Sequence, residues 1–101
     1  MKAVKVTYKV KPEYVEQNKE NIKKIMNRLK SNPIEGMFYS SHTLEDGQTF
    51  VHLNIARDEE TMSKLNEVNE FNEFRKALMA SEPLEKPSST KLNPVDAGFE
   101  V

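Results

Sequence analysis

Residues 38–55, FYSSHTLEDGQTFVHLNI, decide the fold because they place a turn signal between two runs of strand-forming residues. Asp46-Gly47 stands at the centre, and Gly, and less often Asp, tolerates the positive φ that tight hairpin turns need. The flanking runs are Met37–Leu44 and Thr49–Ile55. The stretch therefore predicts a β-hairpin in which the chain reverses at residues 45–48.

The hairpin has two faces of different character. A turn of two or four residues gives the same register, with Ser41 opposite His52 and Tyr39 opposite Asn54. Val51, Leu53 and Ile55 then share an aliphatic face, which we expect to lie under helices. The other face mixes polar and aromatic groups and suits a ligand cavity; it carries Met37, Tyr39, Ser41, Thr43, Phe50, His52 and Asn54. His42 and His52 fall on opposite faces, so a shared metal site is not expected.

The rest of the chain supplies two strands and the helices. Residues 3–10 alternate as a strand with one buried side, and an apolar helical stripe begins after Pro12 and stops before Pro33. After the hairpin, Asp58 stands where a helix N-cap is expected, and two helical segments follow. Residues 86–89 are predicted as a connector, residues 90–93 as a weak last strand, and residues 95–101 as a tail.

This order, β-α-β-β-α-α-β, predicts an α+β fold of the ferredoxin-like type. Its four-stranded antiparallel sheet would have the strand order 4-1-3-2, with all helices on one face. The other face is expected to carry Lys5, Thr7 and Lys9 together with the mixed side of the hairpin. Because that face has too many apolar groups for solvent, we expect a second sheet to cover it. Residues 1–101 are interpreted as one domain.

Composition excludes several classes of function. The 101-residue chain has no Cys, so disulfides, Cys-bound zinc and thiol chemistry are absent, which is compatible with the cytoplasm. The formal net charge of −1 gives no basic field for nucleic acid. No apolar run is long enough for a membrane span. We therefore expect neither a nucleic-acid partner nor a membrane partner.

Four segments resemble the antibiotic-biosynthesis-monooxygenase-like family of dimeric α+β barrels. They are residues 6–12 (VTYKVKP), 36–39 (GMFY), 50–53 (FVHL) and 69–75 (NEFNEFR). The resemblance implies a homodimer whose sheets pack face to face, with a pocket in the barrel or between each sheet and its helices. It also implies that no cofactor is needed, because some relatives are cofactor-independent monooxygenases of polyaromatic phenols. The haem-degrading relatives use a Trp and a helix His, and this chain lacks both.

Eight residues are candidates for the site, and each has a structural alternative. His52 could take a proton from a phenol, or it could be hydrogen-bonded across a dimer interface. Tyr39 and Asn54 could orient a ligand oxygen, or simply fill that interface. Lys5 could stabilise an anion, or lie in solvent. Ser41 and Phe50 lie on the mixed face with His52. Phe71 and Phe74, on the helices, could form the apolar wall of a pocket beside the sheet, or be ordinary core.

The sequence leaves three functions open. One is a cofactor-independent monooxygenase acting on a small aromatic or quinone-like molecule, with His52 as the base. Another is a homodimer that binds such a ligand, or acts in a stress response, without chemistry. The third is an interaction protein with no ligand, whose barrel is filled by its own side chains. A cavity that reaches His52 and Tyr39 would favour the first two.

Overall fold

The computed structural model describes all 101 residues. Four strands form one antiparallel sheet in the order β2-β3-β1-β4, which confirms the predicted order and fold class. Short 3-10 turns at Pro12–Tyr14 and Lys64–Glu67 adjoin the helices. The elements are β1 (Lys2–Lys9), α1 (Val15–Ser31), β2 (Met37–Thr43), β3 (Thr49–Ala56), α2 (Glu59–Ser63), α3 (Asn69–Ala80) and β4 (Glu85–Leu92). No helix is both long and apolar enough to cross a membrane.

The hairpin forms as predicted because Asp46 organises its turn. The Asp46 carboxylate accepts hydrogen bonds from the backbone N–H groups of Gln48 (2.9 Å) and Thr49 (2.8 Å) and from the Thr49 hydroxyl (2.6 Å). These bonds, those from Thr49 above all, lower the pKa of Asp46 to about 2. Gly47 takes the positive φ of +68° that the turn requires. The observed register pairs Ser41 with His52 and Tyr39 with Asn54.

The face assignment of the hairpin was wrong. In an antiparallel pair, opposed residues share a face, and β1 places Val6 opposite His52 and Lys5 opposite Leu53. The mixed side of the hairpin therefore joins the Val6 side of β1, and this side packs under the helices. Lys5 lies on the other side with the aliphatic residues of β3, away from His52. The prediction that Lys5 lies beside His52 is wrong for the same reason.

The inversion has a physical cause in the core. The helix side of the sheet buries Tyr8, Phe50 and His52 at 2%, 2% and 4% exposure, and the polar tips of Tyr8 and His52 bond each other. Polar groups that satisfy one another can be buried at little cost. The aliphatic side of β3 is left only half-buried, with Phe38 of β2 half-exposed beside it. The core cluster is completed by Val10, Ile22, Ile25, Phe74 and Leu78.

The last strand is longer than predicted and begins earlier. Residues 86–89, predicted as a connector, lie within β4 (Glu85–Leu92). The Pro87 ring lacks an N–H, but β4 is an edge strand, where one missing donor is tolerated. The pairing with β1 also shifts register between Thr7 and Lys9, next to this proline. Every residue of β4 is exposed, so no apolar periodicity marked the strand in the sequence.

Candidate functional site

A cavity of about 800 Å³ lies between the helix side of the sheet and the helices. Its floor is formed by β1, β3 and β2, its walls by the segment 59–66 and by α3, and one edge by β4. Half of its lining residues are hydrophobic. The lining includes Val6, Tyr8, Tyr39, His52, Asn54, Glu59, Glu60, Phe71, Phe74, Arg75 and Leu78. The volume exceeds the ~300 Å³ at which pockets for drug-sized ligands begin.

His52 stands at the floor of the cavity with both ring nitrogens hydrogen-bonded. The Tyr8 hydroxyl lies 2.7 Å from Nε2, and the Tyr39 hydroxyl lies 2.6 Å from Nδ1. The Ser41 hydroxyl is 3.4 Å from Nε2, a weaker contact. Burial, helped by the charge of nearby His42, lowers the pKa of His52 to about 4. The imidazole is therefore neutral at physiological pH.

The chain of polar groups continues from the sheet into α1. Asn18 of α1 is fully buried, and its Nδ2–H donates to the Tyr8 hydroxyl oxygen at 2.9 Å. Burial raises the pKa values of both Tyr8 and Tyr39, so both remain protonated phenols at neutral pH. The Tyr8 ring is stacked on Phe50 at 5.5 Å between centroids, which fixes its hydroxyl under His52. Four side chains thus form one hydrogen-bonded chain that ends at the cavity.

A single cation borders this apolar space. The Arg75 guanidinium of α3 lies over the Phe71 ring, 4.6 Å from its centroid. Its charge opposes the rise in the pKa of Tyr39 caused by burial, so it acts on the site at Tyr39. Glu59 and Glu60 also border the cavity, and both are exposed, as is Arg75. The charged residues therefore mark the open side of the cavity, and the aromatic residues its interior.

Five of the predicted site residues lie together around the cavity: His52, Tyr39, Asn54, Phe71 and Phe74. Ser41 touches His52 but does not line the cavity. Phe50 is buried beneath Tyr8 as core and does not line it either. Lys5 is on the opposite face of the sheet, as described above.

Three residues of the site were not among the candidates: Tyr8, Asn18 and Arg75. Asn18 offered a signal, because it stands on the same helical stripe as Val15, Ile22 and Ile25. A polar residue at such a position must find a buried partner. Tyr8 offered another, since it is the one aromatic side chain among the valines of its strand face. Arg75 follows Phe71 by one helical turn, a spacing that brings the two side chains together.

Comparisons with solved structures report the same architecture. An antibiotic biosynthesis monooxygenase matches with a TM-score of 0.80 at 13% identity, over 95% of this chain and 100% of its own. The chain has the fold of the antibiotic biosynthesis monooxygenases. A Mycobacterium tuberculosis protein matches with a TM-score of 0.81 at 14% identity, over 97% of this chain and 98% of its own. A candidate antibiotic biosynthesis monooxygenase from Nitrosomonas europaea matches with a TM-score of 0.79 at 14% identity, over 93% of this chain and 89% of its own.

The likeness lies in the fold rather than in the residues. No protein-family model matches the sequence, and no curated protein matches it. At such low identities the solved structures show the fold alone, and the chemistry of a chain depends on the residues of its own cavity.

Proposed function

We propose that this protein is a cofactor-independent monooxygenase-like enzyme that binds a small phenolic or quinone-like aromatic molecule in the cavity between the sheet and the helices. The observation that carries the proposal is the position of one cation and one phenol hydroxyl beside an aromatic-lined space. The charge of Arg75 lowers the pKa of Tyr39 against the effect of burial, and Phe71 lies against both residues. A planar aromatic ring fits the apolar interior, and its oxygen fits the polar side.

The apolar walls suit an aromatic ring. Phe71 and Phe74 lie 6.0 Å apart between centroids, and Phe71 meets the edge of Tyr39 at 6.1 Å. Val6 and Leu78 add aliphatic surface around the same space. Offset and edge-to-face contacts of this kind favour a further flat ring by about 0.5–1.5 kcal/mol per pair beyond its buried area.

The charged side of the cavity suits an oxygen that becomes negative. A phenol must lose its proton before its ring carbon is electron-rich enough to react with O₂. Arg75 and the Tyr39 hydroxyl would stabilise the phenolate, and stabilisation of developing charge is commonly a large contribution to catalysis. The phenol proton would leave to water at the exposed side, near Glu59 and Glu60. His52, with a pKa of about 4, is a weak base and would act through Tyr39.

The reaction balances without a cofactor because the substrate supplies the electrons. With 1-naphthol as the probe, the phenolate carbon para to the oxygen bonds to O₂, and the C–H at that carbon is lost. One oxygen atom remains as a carbonyl, giving 1,4-naphthoquinone, and the other leaves as water. One molecule of 1-naphthol therefore consumes one O₂ and yields one quinone and one water.

The test is oxygen uptake with 1-naphthol, combined with ¹⁸O₂ labelling of the quinone. We expect ¹⁸O in the new carbonyl, and a kcat/KM that falls at least tenfold in Arg75→Leu, in line with the loss of a group that stabilises developing charge. Lys76→Leu is the matched control, because it removes the neighbouring cation of α3, which does not line the cavity. Equal losses in the two variants, or no product from the wild-type protein, would exclude this reaction.

A second function, binding without turnover, is favoured by one observation. Both nitrogens of His52 are hydrogen-bonded within the protein, so the site has no strong base facing the ligand. Under this alternative, 1-naphthol raises the melting temperature of the wild-type protein while no oxygen is consumed. Arg75→Leu would then reduce that shift, because the oxygen of the ligand loses its charged neighbour.

We also propose that the protein is a homodimer. The outer side of the sheet carries Val51, Leu53 and Ile55 at intermediate burial, with Phe38 50% exposed next to them. Phe99 of the tail packs on Phe38 with centroids 5.0 Å apart, which covers only part of this side. Contiguous apolar surface of this kind is typical of protein–protein contacts, and a second sheet would bury it.

A further inference from the structure

The hydrogen bonds that link Asn18, Tyr8, His52 and Tyr39 must all be donated in the same direction along the series. Each hydroxyl has one proton to donate, and a neutral imidazole has one N–H. The three links, of 2.9, 2.7 and 2.6 Å, are all hydrogen bonds. Because His52 donates on one side and accepts on the other, the direction of the first link determines the direction of the last.

Asn18 determines that direction. Its amide nitrogen can only donate, so the Tyr8 oxygen accepts from it. Tyr8 then has His52 Nε2 as the acceptor for its own proton, and Nε2 must be unprotonated. The ring proton is therefore on Nδ1 and is donated to the Tyr39 oxygen. With the opposite direction, the buried Tyr8 proton would have no acceptor.

The orientation of the Asn18 amide supports the same direction. Its Oδ1 atom is buried without a partner. Rotating the amide by half a turn would put the NH₂ group in that position, with its protons unpaired. Buried N–H groups without a partner are rarer in proteins than buried carbonyl oxygens without one. The amide therefore places its nitrogen, and not its oxygen, against Tyr8.

The direction of these hydrogen bonds determines what Tyr39, the last residue of the series, offers to the cavity. Since Tyr39 accepts from His52, its own hydroxyl proton is free, and Tyr39 lines the cavity. Asn54, directly opposite Tyr39 on the neighbouring strand, also lines the cavity and has a buried Oδ1 without a partner. The cavity thus presents one unused donor, the Tyr39 hydroxyl, whereas the Asn54 Oδ1 is too deeply buried for a ligand to reach.

We propose that Asn18 and Tyr8 are positioning residues that hold His52 in its Nδ1–H form, so that Tyr39 offers a proton to an accepting oxygen of the ligand. The ligand class is an aromatic compound with an oxygen that accepts from Tyr39, as in phenols and hydroquinones. The proposal rests on the proposed function for the identity of the ligand. The direction of the hydrogen bonds can be measured without any ligand.

The first experiment reads the His52 tautomer by NMR. The His42→Gln variant leaves His52 as the only imidazole, because the chain has two histidines. A long-range ¹H–¹⁵N spectrum at pH 7 should show a protonated Nδ1 and an unprotonated Nε2. A protonated Nε2 would overturn the proposal, whether or not the protein turns out to bind 1-naphthol.

The second experiment compares binding of 1-naphthol with binding of naphthalene, which lacks the oxygen. In Asn18→Leu the donor to Tyr8 is gone and both tautomers become accessible, so only about half of the protein has the competent tautomer and the preference for 1-naphthol should fall about twofold. Tyr8→Phe keeps the stacked ring and should give the same loss. Damage to the fold would weaken both ligands equally and leave the ratio unchanged.

The matched control is the neighbouring Asn–Tyr pair on the same helix. Asn21 Nδ2–H donates to the Tyr14 hydroxyl at 3.4 Å, outside the chain that reaches His52. Asn21→Leu should leave both the tautomer and the ligand ratio unchanged. If Asn18→Leu behaves as Asn21→Leu does in both measurements, the positioning role of Asn18 is excluded. If the wild-type protein binds neither ligand, the proposed function fails while the NMR result stands.

Discussion

Acid should destabilise this fold through His52. The imidazole is 4% exposed, and burial lowers its pKa from 6.5 to about 4. In the unfolded chain the same group titrates near its ordinary value. Between these two pKa values the unfolded state binds a proton that the folded state refuses, so stability falls as the pH falls.

The loss in the free energy of unfolding can be calculated from the two pKa values of His52. A difference of about 2.5 units corresponds to about 3 kcal/mol once the pH lies below both values. Between pH 8 and pH 5 the loss from His52 is about 2 kcal/mol. This window separates His52 from Asp46, whose pKa is lowered from 3.8 to about 2 and whose stabilisation is lost only in stronger acid. The lowered pKa of Asp58 acts in the same more acidic range.

The assay is urea unfolding at several pH values from 8 to 5, at one fixed protein concentration because a dimer would make stability concentration-dependent. His52→Gln removes the titrating group and should remove most of the slope. His42→Gln, on the outer side of the sheet, should retain it. If wild-type protein and His52→Gln lose the same free energy of unfolding between pH 8 and pH 5, His52 is not the buried neutral group described here.

Two further predictions concern the turns and the outer side of the sheet. Gly47→Ala should cost about 1 kcal/mol in urea unfolding, because its φ of +68° disfavours a side chain although the space around it is open. Gly36→Ala should cost about as much, since its φ is +82° and the exposed Arg57 side chain, 2.8 Å from an added Cβ, can move aside; a much larger loss than that of Gly47→Ala would contradict this. Leu53→Asp should yield monomers in light scattering where the wild-type protein and Lys23→Asp form dimers, and a wild-type monomer would exclude the proposed dimer.

The hairpin could be predicted because its determinants are local. Asp46 and Gly47 define the turn, and the register follows from the turn. The orientation of the hairpin relative to β1 could not be predicted, since alternation shows which residues share a face but not which face meets the helices. Hydrophobicity favoured the Leu53 side, and the structure buries the His52 side instead, because Tyr8 satisfies the imidazole from another strand.

The first half of β4 was not predicted, for a different reason. A strand at the edge of a sheet, exposed along its whole length, has no apolar alternation to reveal it, and Pro87 is a signal against a strand. Backbone pairing with β1 holds β4 in the sheet, and such pairing does not depend on a pattern of side chains. The site was partly predictable: Tyr39, His52 and Asn54 come from the hairpin, while Tyr8 and Asn18 depend on tertiary contacts.

The buried polar side chains around His52 include groups that lower the stability of the fold. Two buried oxygens, Asn18 Oδ1 and Asn54 Oδ1, have no partner, and each such group typically costs about 1–3 kcal/mol. Leucine at position 18 would extend the apolar stripe of α1 and remove one of these costs. Leucine would also remove the hydrogen bond that Asn18 donates to Tyr8, so the two effects on stability nearly offset each other. Asn18 begins the chain of hydroxyls and imidazole that leads to the cavity, where the Tyr39 hydroxyl is left as a free donor for a ligand.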